Sequence, residues 1–342
     1  MKSGKIVTFG EIMLRLATQN NNRVIQSSSF DAAYGGSEAN VAIALANFGF
    51  DVEQITKLPE NPLGDTVISE LRKHNVGTQF ISRGGTRLGI YFLEVGKGCR
   101  ASQVTYDREH SSFTTAISKE YNWEEIFKDA EWFHFTGISP ALSESAYELT
   151  LSAVKAAHKS GLKISMDLNY RSKLWNWGKD AKEVLPELVK YCTIVLGNEE
   201  HMQSVLGIES LKTLNENQTQ LLENICIETK KRFPNLETVS LSIRKGASAS
   251  HNQVSAALHH KGQFAIAKEI EVPDIVDRVG GGDAAMAGLI AGLLLFDNSE
   301  DIINFSVASG AIKHSIHGDF SLASIEEVKA LASGQSAGRV SR

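Results

Sequence analysis

Three cysteines in 342 residues (Cys99, Cys192 and Cys226) are too few and too scattered for a disulfide framework or a zinc site. They read as inert, partly buried thiols in a reducing compartment. Positive charge is short as well. With 35 Lys+Arg against 40 Asp+Glu and a net charge of -5, the chain lacks the clustered basic excess that binding a nucleic-acid backbone requires. Long apolar runs are missing: Ala284 to Phe296 is the longest, below the roughly 20 residues that span a bilayer. Met1 to Glu11 lacks the apolar core of a signal peptide. No G-x-x-x-x-G-K-[ST] occurs, which excludes a P-loop nucleotide site, and there is no internal repeat or low-complexity segment. The expectation is a cytoplasmic, mildly acidic protein that meets small molecules, with no nucleic-acid or membrane partner.

What the chain does have is a regular change of period. At roughly 150 residues per domain, its length makes two modules, or one large α/β domain with an insertion. Ile6-Val7-Thr8-Phe9 reads as a strand closed by Gly10-Glu11. After Tyr34-Gly35-Gly36, apolar residues from Ala39 to Phe48 recur at helical spacing, and Gly49 stands at the C-cap. A strand over 52–58 and a helix over about 64–74 follow. From about residue 114, strands (132–135, 162–168, 193–196, 238–243) alternate with helices (143–160, 181–191), which implies a parallel sheet with helices on both faces. Two stretches depart from that pattern. Residues 12–34 alternate loosely around the turn signal Gln19-Asn20-Asn21-Asn22, and 86–108 read as a hairpin around Gly96-Lys97-Gly98. They are expected to be neighbouring strands of a small sheet that leaves the main body. The tail from Gly334 is small and polar, a mobile terminus or a docking peptide.

Two glycine clusters carry chemistry. Asp277-Arg278-Val279-Gly280-Gly281-Gly282-Asp283 precedes the apolar helix 284–295. Successive glycines turn backbone N–H groups inward, and the helix start adds the positive end of its dipole, so the spot suits an anion such as a phosphate. Asp283 is out of place beside an anion unless it takes a proton from a nucleophile approaching that phosphate, as phosphoryl transfer requires. Alternatively Asp283 is an N-cap and the glycines a tight turn. The segment also fits the loose G-x-G-x-x-G/A fingerprint. However, Val272 to Arg278 mixes proline and charges where a Rossmann site needs a clean strand, and only about 60 residues follow. The second cluster, Gly35-Gly36-Ser37-Glu38-Ala39-Asn40, allows close approach of a hydroxyl-rich ligand with Asn40 as donor and acceptor, or is a plain helix entry.

The two clusters at this separation resemble the ribokinase-like (pfkB) carbohydrate kinases, over about residues 5–331. Within them the chain is most similar to the kinases of 2-dehydro-3-deoxygluconate (KDG). The matching segments are Phe9 to Arg15, Gly35 to Ala42, Arg87 to Glu94, Tyr106-Asp107-Arg108, His134 to Leu142, Asp167 to Arg171 and Leu174-Trp175. The resemblance implies a doubly wound, mainly parallel α/β core (1–11, 35–85, 109–331) with a small β-sheet lid (12–34, 86–108) and a C-terminal tail (332–342). It implies ATP-dependent phosphorylation of KDG at its 6-hydroxyl, with Mg²⁺ and a monovalent cation as candidate cofactors. Other small sugars or sugar acids (2-keto-3-deoxygalactonate, fructose, ribose), or non-catalytic sugar-acid sensing, stand as alternatives. Lid sheets pair in this family, which implies a homo-oligomer through the lid.

By that resemblance Asp283 is the general base, and the amides of Gly280, Gly281, Gly282 and Asp283 form an anion hole. Gly35, Gly36 and Asn40 hold the sugar, Tyr91 covers it, and Tyr106, Arg108 and Arg171 read the acid end. An arginine fork suits a carboxylate, although Arg108 and Arg171 could instead pair with Asp107 and Asp167. Asn198, Ser242, Arg244 and Gly246 line the nucleotide side. Two positions depart from the family pattern. His201 ends the N-x-x-E motif, so that Glu200 substitutes for its acid or the metal is held through water and ATP oxygens. Ala285 stands where a bulkier aromatic is usual behind the anion hole.

Overall fold

The structure is a computed structural model that describes residues 4–209, 217–248 and 250–335; most of the expected tail, 336–342, lies outside them. The chain opens with β1 (Lys5–Phe9), β2 (Met13–Thr18), β3 (Phe30–Gly35) and α1 (Ser37–Asn47). Then come β4 (Val52–Ile55), β5 (Lys57–Leu58), α2 (Pro62–Lys73), β6 (Ser82–Arg83), β7 (Gly89–Glu94) and β8 (Gln103–Asp107). The middle of the chain carries α3 (Trp123–Phe127), β9 (Ala130–Thr136), α4 (Glu144–Lys159), β10 (Lys163–Asp167), α5 (Ala181–Val189) and β11 (Ile194–Gly197). After α6 (Glu199–Ser204) and α7 (Gln218–Arg232) come β12 (Thr238–Ser248), β13 (His251–His260), β14 (Gln263–Ile266) and β15 (Ile270–Val272). The chain closes with α8 (Gly281–Leu295), α9 (Ser299–Lys313) and α10 (Ile325–Ala332).

The main sheet has the order β14-β13-β12-β11-β10-β9-β1-β4, with β15 also on β13. From β4 to β12 every pairing is parallel, and β12-β13-β14 closes the sheet antiparallel. Period-2 alternation sends neighbouring side chains into two cores. Val7 and Phe9, Phe133 and Phe135, and Val239 and Leu241 join one core, with α4, α5 and α7. Ile6, Trp132, Ile194 and Leu196 join the other, with α1, α8 and α9. Helices therefore cover both faces, as a parallel sheet requires.

The lid is a separate four-stranded sheet, β3-β2-β7-β8. Its inner face is a small apolar patch of Met13, Ala17, Tyr91 and Leu93. Gly35 is the last residue of lid strand β3, one position beyond the expected boundary. The expected strand 52–58 breaks at Thr56, because β4 pairs with β1 whereas β5 pairs with β6.

α8 and α9 set the floor of the cleft described below. Apolar on every side, α8 is a buried helix, and it presses on α9 through glycines. A Cβ on Gly288 would lie 2.8 Å from Ser309 Cβ and 2.9 Å from Ser306 Cα. Ser306 and Ser309 each donate to α8 carbonyls, those of Ala285 and Ala284, at 2.7 Å. Ala285 packs against Gly310, so α9 supports the first turn of α8 where an aromatic was expected. Gly288→Ala gains about 1 kcal/mol of helix propensity, but overpacking of about 1–3 kcal/mol should outweigh it. A lower denaturation midpoint is expected, and an unchanged or higher one would contradict this packing.

Candidate active site

The C-terminal ends of β1, β9, β10 and β11 open into one cleft of about 1790 Å³ roofed by the lid. Ligands of open α/β sheets bind at that edge, and the volume exceeds what one small ligand fills. Glu11, Ile138, Asp167 and Asn198 reach it from the strand ends, Ser242 from the middle of β12, Tyr91 and Tyr106 from the lid, and Gly280 to Asp283 from the floor.

Gly280 is the N-cap of α8, with φ 81°, a left-handed conformation that suits glycine. Its Cβ would also stand 2.0 Å from the Asp319 carbonyl. No side chain caps the helix, so the N–H groups of Gly281, Gly282 and Asp283 have no intrahelical partner. Beside Gly282 a Cβ would meet nothing within 4 Å. Asp283 is not the cap. Its Oδ2 accepts from Asn40 Nδ2 at 2.7 Å, joining the two glycine clusters across 243 residues of chain.

The first turn of α1 is anchored by Glu38, whose Oε1 accepts from Thr136 N (3.0 Å), Thr136 Oγ1 (2.8 Å) and Ser139 Oγ (3.1 Å) at the end of β9. Gly36 N donates to Asn40 Oδ1 at 3.4 Å. A Cβ on Gly36 would stand 2.0 Å from the Glu11 carbonyl, so only glycine permits that approach. Burial lifts Asp283 to about 6, partly offset by Asn40 and Arg171 and reinforced by Asp319. Asp167 rises to about 7, through burial first and the Asp283 charge second. Glu38 also reaches about 7 through burial, against its three hydrogen bonds.

Around the substrate side, Arg108 pairs with neither expected acid. Its Nε (2.8 Å) and Nη2 both donate to Glu11 Oε2, and Asp107 is taken by Arg87 at 2.8 Å. Nη1 of Arg108 is left buried and without a partner. Tyr106 lies under the guanidinium, 5.2 Å from its ring centroid. Arg171 is exposed and forms no ion pair with Asp167 among the described residues. Tyr91 lines the cleft, but its hydroxyl is committed to Asp319 Oδ2 at 2.6 Å. Gly35 stands behind the cleft wall, where a Cβ would meet the Asp319 carboxylate at 2.0 Å.

On the nucleotide side, Arg244 and Ser242 line the cleft, and Ser242 donates to the Gly197 carbonyl at 3.1 Å. Gly246 lies outside the lining, opposite Asn252 in the β12-β13 ladder. Asn198 is the N-cap of α6, accepting from His201 N at 2.7 Å. Glu200 is exposed at the cleft edge, and the described residues contain no group of three or more metal-binding side chains. Of the thiols, Cys192 and Cys226 are buried as expected, whereas Cys99 is exposed.

Sequence reasoning missed Asp319 and His314. His314 Nδ1 donates to the Gly310 carbonyl at 2.7 Å, which leaves Nε2 a bare, buried acceptor beside Gly281. A single Asp after Gly318 offers no signal beyond a turn.

A doubly wound α/β core, a separate small sheet and one large cleft floored by a glycine-led helix define the class as a ribokinase-like fold. The chain belongs to the pfkB family of carbohydrate kinases, whose model matches residues 3–323. The 2-dehydro-3-deoxygalactonokinase of Haloferax volcanii is 31% identical to it, over 98% of this chain and 99% of that protein. The 2-dehydro-3-deoxygluconokinase of Bacillus subtilis is 27% identical, over 92% and 90%. The crystal structure of the 2-dehydro-3-deoxygluconokinase of Thermotoga maritima matches with a TM-score of 0.91 at 42% identity, covering 97% of this chain and 100% of that one.

Because burial raises Asp283 from 3.8 to about 6, its ionised form destabilises the fold. At about 1.4 kcal/mol per pKa unit the cost is about 3 kcal/mol above pH 7, and it vanishes below the unfolded value. Asp283→Asn should therefore raise the unfolding free energy at pH 8 by up to about 3 kcal/mol and change it little at pH 4. Denaturant titrations at both pH values check this, and an equal gain at each would contradict it.

Proposed function

We propose that the enzyme phosphorylates the terminal 6-hydroxyl of 2-dehydro-3-deoxy-D-gluconate with ATP. The observation that carries this reading is Asp283, a buried carboxylate beside uncapped helix amides and held by Asn40. The sugar hydroxyl lies against Asp283 and Asn40, and Asp283 takes its proton as the γ-phosphoryl moves toward the amides of Gly281 to Asp283. There the helix terminus stabilises the charge that develops.

The acid end of the sugar meets Arg108. A buried guanidinium N–H without a partner is costly unless a ligand supplies one, and a substrate carboxylate does so at Nη1. Because Glu11 occupies the Nε–Nη2 edge, that contact is end-on rather than the two-pronged fork expected. Tyr106 and Arg171 complete this end, and Gly36 and Asn40 the hydroxyl end. The ATP phosphates face Arg244 and the α8 amides. A bound magnesium ion would supply positive charge against the ATP phosphates. Glu200, exposed at the cleft edge, would hold it together with phosphate oxygens and water, the usual Mg²⁺ arrangement. The lid keeps water from the transferring group. The second reading, 2-keto-3-deoxygalactonate as acceptor, is supported by the Haloferax relative.

For the homo-oligomer, the supporting observation is lid strand β8, an edge strand exposed at all five residues. Such an edge invites pairing with a second copy. Light scattering should give a dimer or larger, and a monomer at working concentration would retire this assembly.

In a coupled ADP-release assay with KDG, Asp283→Asn is expected to lose at least a thousandfold in kcat, and near-normal turnover would remove Asp283 as base. The base must be ionised, so wild-type kcat/KM should fall as pH drops through about 6, where burial holds Asp283. A profile flat down to pH 5 would contradict that assignment. Arg108→Ala should raise the KM for the acid at least tenfold and leave that for a neutral sugar within threefold. Equal effects on both would show that Arg108 does not read the carboxylate.

A further inference from the structure

Arg15 belongs to the lid, yet both ends of its guanidinium are spent on the core. Nη2 donates to Asp277 Oδ2 and Nη1 to Asp319 Oδ1, each at 2.7 Å, with all three side chains at least nine-tenths buried. Asp277 opens the glycine loop. Its other contacts fold that loop: Oδ1 accepts from Val279 N and Oδ2 from Gly318 N, both at 3.1 Å. Asp319 closes the loop from behind, its carbonyl lying so near Gly280 that no Cβ fits. Tyr91, the register partner of Arg15 on β7, holds the other Asp319 oxygen at 2.6 Å. Val279, one residue before Gly280, packs into the apolar inner face of the lid.

The lid thus holds residues 277–280 directly, through Arg15 on Asp277 and its apolar face on Val279, and indirectly, through Arg15 and Tyr91 on Asp319. Resting on the phosphoryl-transfer reading above, we propose that Arg15 is a positioning residue that couples the lid to the anion loop and sets the direction of the Gly281 to Asp283 amides. Arginine is needed because one planar group must reach two carboxylates at once; lysine offers a single point charge. The arrangement is charge-balanced. Lys313, fully buried, supplies a second cation beside the two aspartates, and its Cε would stand 3.2 Å from a Cβ on Gly280. Asp277 and Asp319 line the same cleft as the amides, and through them Arg15 ties the loop that carries those amides to the lid. Helix amides aimed at developing charge act on the transition state more than on the bound substrate, so losing Arg15 should lower kcat more than it raises either KM.

Arg15→Lys keeps the charge and is the variant to make first, with cooperative melting as the check that it folds. Its kcat should fall at least tenfold with both KM values within threefold of wild type, and amide hydrogen exchange over 277–283 should quicken at least fivefold. In Arg15→Ala, guanidinium chloride at tens of millimolar should restore part of kcat saturably, whereas equal ammonium chloride should not. Unchanged exchange over 277–283 would overturn the proposal, as would a loss confined to the sugar KM, which would make Arg15 a substrate ligand instead. A wild-type enzyme without sugar-dependent ADP release would count against the phosphoryl-transfer reading alone, because the exchange measurement still decides the role of Arg15.

Discussion

The hydrogen bond from Asn40 to Asp283 is the contact on which the rest of the structure depends. It joins the first turns of two helices, α1 and α8, that enter the cleft from distant parts of the chain. Everything around it serves to hold those turns in place. Glu38 pins α1 to the end of β9, Ser306 and Ser309 hold the first turn of α8 from α9, and Arg15 reaches across from the lid. One buried polar contact thus sets the Asp283 carboxylate beside a row of amides without intrahelical partners.

That geometry resolves an apparent electrostatic conflict. The protein is net negative, and three buried acids, Glu38, Asp167 and Asp283, crowd the site that two anionic ligands must enter. Burial dominates all three shifts, so Glu38 and Asp167, at about 7, are partly protonated at neutral pH, while Asp283, at about 6, is mostly ionised. Their repulsion toward an incoming phosphate is therefore weaker than a count of carboxylates suggests. Local cations do the opposite work: Arg108, Arg171 and Arg244 all line the same cleft. At short range in a low-dielectric cleft, these neighbours outweigh a net charge that salt screens at distance.

Much of this was legible in the sequence, and the reasons it was are physical. Val7 and Phe9 against Ile6 announce a sheet covered on both faces, and Gly49 marks the end of α1 because a left-handed residue is required there. The strands of the small sheet showed in the loose alternation of 12–34 and the hairpin pattern of 86–108, and the resemblance alone implied that this sheet is a lid. By contrast, α9 was silent: buried almost all round, it has no polar face and so no helical period. The antiparallel hairpin β12-β13 was hidden in the same way, because a strand shows its alternation but not the direction of its partner. In the site, glycines and Asp283 were readable because their spacing is local. Arg15, Glu11 and Asp319 act through contacts that span 97 to 304 residues of chain, a separation no motif encodes. Arg108 shows the limit most clearly, since its residue type suggested a two-pronged grip that Glu11 partly occupies.

Under the proposed function the acceptor carries a carboxylate. Initial rates of ADP release with KDG, its galacto epimer, fructose and ribose, all with Mg-ATP, address it directly. kcat/KM for at least one of the two acids should exceed that for either neutral sugar by a hundredfold or more. A neutral sugar turned over as well as both acids would contradict it.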